Sequence, residues 1–60
     1  MSKLLTLANT REMSDTIIWT ELMKRGKQIE ALGVDPVEVY VLVRSIMNLG
    51  IAMNERNLDW

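Results

Sequence analysis

The stretch Ala31-Leu32-Gly33-Val34-Asp35-Pro36-Val37-Glu38 constrains this chain more than any other, because it closes one helix and opens the next within a few residues. Gly33 suits the left-handed position that follows a helix, and Val34 can fold back on the last turn. Asp35 is a good N-cap, and Pro36 fits the first helical position with its preset φ and missing N–H. Glu38 can reach back to the Asp35 amide and complete a capping box. Helices joined this tightly run antiparallel or cross at a sharp angle. The expected fold is therefore all-α, a single antiparallel helical-hairpin domain.

Size turns that hairpin into a question of association. At 60 residues, a two-helix layer buries too little apolar surface to offset the entropy of ordering the chain. The sequence holds no cysteine and no histidine, which removes disulfides and the usual structural-metal ligands. No metal or cofactor is expected. Self-association remains, with two hairpins pairing into a four-helix bundle as the simplest solution.

The segments follow from caps and periodicity. Residues 1–9 read as a short apolar arm, 10–32 as helix one, 33–35 as the turn, 36–57 as helix two and 58–60 as a tail. Asn9 and Glu12 offer a capping box for helix one, and Ser14-Asp15 a second start signal one turn later. Ile18, Leu22, Ile29 and Leu32 recur at helical spacing, with Trp19, Met23 and Gly26 beside them. The opposite face carries Thr20, Lys24, Lys27 and Gln28, and Glu21 and Arg25 stand at i,i+4 spacing as an ion pair.

Helix two has a wider apolar surface than one neighbour needs. At 100° per residue, Val39, Tyr40, Leu42, Val43, Ile46, Met47, Leu49, Gly50, Ile51 and Met53 fill an arc of roughly 200°. The polar remainder is a narrow strip of Glu38, Arg44, Ser45, Asn48 and Glu55. Helix two is thus expected to pack on helix one and on a second copy, through Trp19, Leu22, Ile29, Val39, Val43, Ile46, Gly50 and Met53. Gly26 and Gly50 read as sites of close helix packing, and a hairpin register places Gly50 beside Trp19. The density of β-branched residues in 37–43 also suits a strand. The Asp35-Pro36 start and the unbroken run into Ile46-Met47 favour helix.

The run Leu32-Gly33-Val34-Asp35-Pro36-Val37-Glu38-Val39 resembles the turn of helix-turn-helix DNA-binding domains, with Leu32, Gly33, Val34 and Val39 at matching positions. That resemblance spans only the turn and its flanks, and it implies that helix two would enter a DNA groove. The helix departs from the pattern: it would offer Pro36, Val37, Glu38, Tyr40 and Val41, with Arg44 the one nearby cation. Seven Lys and Arg against eight Asp and Glu give a net charge of −1, scattered with no basic face. Nucleic acid is disfavoured and stays an alternative, as does a structural role in a larger assembly.

No catalytic group emerges. The carboxylates lack a second group at a useful spacing, and the serines and threonines have no histidine to activate them. The expected function is that of a small non-enzymatic regulatory, inhibitory or adaptor protein acting by protein–protein binding. The candidate partner surface is Val34, Val37 and Val41 beside Glu38, together with the terminal Trp60. The lack of cysteine fits a reducing cytoplasm. With no signal-peptide pattern and no segment read as approaching the ~20 apolar residues of a membrane span, a soluble cytoplasmic chain without membrane contact is expected.

Overall fold

The computed structural model describes residues 3–31, 33 and 35–58. Three helices follow one another, α1 (Leu7–Arg11), α2 (Asp15–Glu30) and α3 (Pro36–Glu55). The fold is all-α: α2 and α3 pack as a hairpin-like pair, and the short α1 lies on α3. The segment 37–43 is helical throughout, so the proline-capped start prevails over β propensity, as tertiary packing commonly decides such runs.

Local chemistry explains each boundary, and several differ from expectation. The arm turns helical at Thr6 instead of Asn9. The Thr6 side chain accepts a hydrogen bond from the Asn9 amide at 3.1 Å while Asn9 Oδ1 accepts from the Thr6 amide at 3.4 Å, a reciprocal capping box. Helix one does not begin at residue 10 either. The chain breaks after Arg11, and α2 starts at Asp15 behind Ser14, whose side chain accepts from the Ile17 amide at 3.3 Å. Asp15 in the first turn adds a favourable charge at the positive end of the helix dipole.

The turn behaves as its residues dictate. α2 ends at Glu30, Ala31 is already extended at ψ 138°, and Gly33 takes φ 81°. Leu32 and Val34 lie outside the described residues. Asp35 caps α3 by accepting from the Val37 amide at 2.8 Å, with Pro36 opening the first turn. Gly33→Val should destabilise the fold by about 1 kcal/mol or more, since a β-branched residue tolerates positive φ poorly. A side chain at Gly33 would meet nothing within 4 Å, so a drop in the urea midpoint would report the backbone alone.

The far end of α3 also stops earlier than residue 57. Asn57 adopts φ 59°, the Asn57 amide bonds the Asn54 carbonyl at 3.1 Å, and the Leu58 amide bonds that of Met53 at 2.9 Å. This pairing is a Schellman motif with asparagine in the left-handed position, and Leu58 packs on the core as such motifs favour.

Among the described residues the core is small: Ile18, Leu42, Leu49, Ala52 and Met53 are the buried hydrophobic ones, with Leu5, Met13, Trp19, Leu22 and Leu58 packed around the Ile18, Leu49, Ala52 and Met53 cluster. Of the expected core and dimer residues, Gly50 and Met53 are buried, Trp19, Leu22, Ile29, Val39 and Ile46 half-buried, and Val43 exposed. Gly26 departs from its reading as a close-packing site, because an added Cβ there would meet nothing within 4 Å. Arg25 is a second departure: it belongs to the interior, 7% exposed, with its guanidinium paired to Glu21 and its Nε without a partner.

Candidate functional site

Three sides of α3 carry three different environments. One side meets α2 through Leu49 and Met53, which cluster with Ile18, and the fully buried Leu42 recurs on it at helical spacing. The second side, which carries Ser45 and Asn48 of the polar strip, is covered by the N-terminal arm. Ser45 is fully buried and Asn48 half-buried there, so part of the polar strip of α3 faces the arm.

The covering is built from hydrogen bonds to one residue's main chain. Ser45 Oγ accepts from the Leu5 amide at 3.1 Å and donates to the Val41 carbonyl at 2.8 Å, so the buried hydroxyl is satisfied both ways. Asn48 Nδ2 donates to the Leu5 carbonyl at 2.7 Å. The buried Thr10 donates its hydroxyl to the Leu7 carbonyl at 2.8 Å, with the Asn48 carbonyl at 3.4 Å. The Leu5 side chain packs on the core cluster. Ser45 and Asn48 thus form a notch that grips the arm by its backbone.

Charged groups close the end of that contact. Arg56 Nη2 donates to the carbonyls of Thr10 and Arg11 at 3.3 and 2.8 Å, at the end of α1 where helical carbonyls run out of partners within the helix. Its Nη1 pairs with Asp15 at 3.0 Å. Arg11 pairs with Glu55 through two nitrogens, at 3.0 and 2.6 Å. The hydrogen bond from Arg11 lowers the Glu55 carboxyl from its ordinary value, with desolvation opposing it and the charges of Arg11 and Arg56 adding to it, and it raises the Arg11 guanidinium in return.

Because Glu55 titrates lower when folded than when unfolded, its contribution is full above the unfolded value and is lost as pH falls through the folded one. Arm docking should therefore loosen below the ordinary glutamate range of about 4.3. Loss of protection at the Leu5 amide in acid, measured against the intrinsic exchange rate at each pH, with Glu55→Gln abolishing that loss, is the expected observation.

Among the described residues, nothing covers the third side of α3. Tyr40, Val43, Met47 and Ile51, spaced by three, four and four residues, fall within an arc of roughly 80°. All four are exposed, Tyr40 at 63% and Met47 at 51%. In an antiparallel pair the same helical geometry puts Met23 and Trp19 of α2 on the flank next to Val43. Met23 is exposed as well and Trp19 half-buried.

The expected partner surface is reduced by comparison. Val37 is exposed, whereas Val41 and Glu38 are half-buried, so the valines do not share one open patch. Val34 and Trp60 lie outside the described residues. The stripe from Tyr40 to Ile51 was legible as part of the wide apolar arc, but its separation from the core required knowing where α2 sits. Among the described residues no group of three or more His, Cys, Asp or Glu could hold a metal ion.

By length and composition α3 is able to cross a membrane, which corrects the reading that no segment approaches that size. A third of its most apolar stretch is buried within the hairpin. No family model, curated protein or solved structure matches this chain.

Proposed function

We propose that this chain is a non-enzymatic protein-binding module, a regulator, inhibitor or adaptor, that self-associates into a homodimeric four-helix bundle in a reducing cytoplasm. The carrying observation is the open stripe of Tyr40, Val43, Met47 and Ile51, extended by Met23. Side chains of this size make a contiguous patch on the order of several hundred Å², the scale that marks interaction surfaces. A stable dimer buries about 800 Å² per partner, and this patch with its polar margin approaches that. A second copy also supplies what the small core lacks, since it is present wherever the chain is made.

The geometry supports an all-antiparallel arrangement. A two-fold axis through Met47 sets Val43 against Ile51 of the partner subunit, and each helix then borders antiparallel neighbours, which suits the helix dipoles. Val37 stands at the edge of this face near the turn, where a further protein could dock. Val37→Lys should therefore leave helicity and dimer mass unchanged, and a monomer on sedimentation would move Val37 into the dimer face instead.

Sedimentation at micromolar concentration, with an unfolding midpoint that rises with concentration, is the expected result for the wild-type chain. A folded monomer would overturn the reading. Partition into lipid vesicles with loss of the α2–α3 contacts would replace it with a membrane one. A binding affinity for RNA or DNA that falls steeply with salt would favour the nucleic-acid alternative.

A further inference from the structure

We propose that residues 12–14 are a hinge, and that the arm with α1 exchanges between two copies, each arm docking in the Ser45 and Asn48 notch of the other. Such exchange is distinct from association through the Met47 stripe, because Ser45 and Asn48 face another side of α3. The occupant is defined by the contact already present. The notch grips the Leu5 main chain through its N–H and C=O, the core takes the Leu5 side chain, and every copy carries an identical arm.

Two features make the arm separable. Its attachment is narrow: Thr10 is buried, but Lys3, Leu4, Thr6, Ala8 and Asn9 are exposed, Leu5 and Leu7 half-buried, and the Arg11–Glu55 pair faces solvent. A five-residue helix has no stability of its own, so this segment opens at the low end of the range of local unfolding.

The hinge is equally specific. Glu12 still has helical angles, φ −85° and ψ −10°, whereas Ser14 is extended at ψ 161°. Glu12-Met13-Ser14 contains neither glycine nor proline, so nothing in these residues forbids helix. Rotation there fuses α1 and α2 into one helix over residues 7–30 and gains the backbone hydrogen bonds that the break forgoes. The freed arm then reaches a neighbouring copy, the usual route of domain swapping.

Complementation tests this directly. A Ser45→Ala copy labelled with ¹⁵N keeps its arm but lacks the hydroxyl, and an unlabelled Leu5→Pro copy keeps the notch but lacks the arm's amide. Both carry Met47→Lys, which removes association through the stripe. After refolding the two together, exchange puts the labelled Leu5 amide on an intact Ser45, and its hydrogen exchange should slow about tenfold against the labelled copy alone. An unchanged rate at all concentrations, with both chains helical, would overturn the proposal. Should Ser45→Ala fail to fold, Asn48→Ala replaces it, and the same slowing is required. Ser14→Ala, which removes the cap that holds the break, should raise the exchanged fraction on sedimentation, and no rise would count against the hinge.

Discussion

Replacing Met47 with lysine is expected to raise the dimer dissociation constant about 100-fold or more, because an ammonium at the two-fold axis meets its own copy and loses water without a counter-charge. The hairpin itself should survive. Met47 is half exposed in the single chain, so the lysine head reaches solvent there and the helix content on circular dichroism should hold. Sedimentation equilibrium across a concentration series reads the shift. A variant that remains a dimer would place the interface elsewhere, and one that unfolds would show that the hairpin cannot stand without its partner.

Leu49→Ala should act on the other side of α3, with a different signature. Leu49 is fully buried and packs in one cluster with Ile18, Ala52 and Met53. Truncation removes transfer energy and leaves a cavity, at a cost of about 3 kcal/mol. At the usual ~0.05–0.15 kcal/mol per residue, that is a large part of what a chain of this length holds. The expected result is a steep fall in the urea midpoint, with loss of helix near room temperature. A loss below about 1 kcal/mol would mean that the cluster collapses around the gap.

The two substitutions lie about 160° apart on one helix, and the sequence alone did not separate them. Leu49 and Met47 both belong to the same wide apolar arc. Periodicity shows that a helix is apolar over a given angle, but not which part of the angle its neighbour takes. The turn was legible because its chemistry is local: Gly33 at positive φ and the Asp35-Pro36 start act within a few residues. The break at Glu12–Ser14 was weakly legible. Asn9, Thr6 and Ser14 are all competent caps, and which of them serves depends on where the arm docks.

That docking was hidden by distance. The Leu5 bonds to Ser45 and Asn48 span 40 and 43 residues, beyond anything a window of pattern can register. Polarity on α3 then pointed the wrong way, since a serine facing water and a serine facing a buried amide read alike. Arg25 misled in the same manner: its spacing from Glu21 predicts a surface ion pair, and the pair exists, but the guanidinium lies inside. A long side chain can run its apolar stem along a helix interface, and composition does not reveal that direction.

Ser45 and Asn48 also act as an error check on threading. An arm shifted by one residue would turn Leu5 out of its pocket. It would also set the hydroxyl and the amide against groups at the wrong spacing, leaving buried polar atoms without partners at about 1–3 kcal/mol each. A leucine at either position would tolerate several registers of a short apolar segment with little distinction between them. The polar pair rejects that one-residue slip, so a stretch as nondescript as Leu4-Leu5-Thr6-Leu7 is held in one phase on α3.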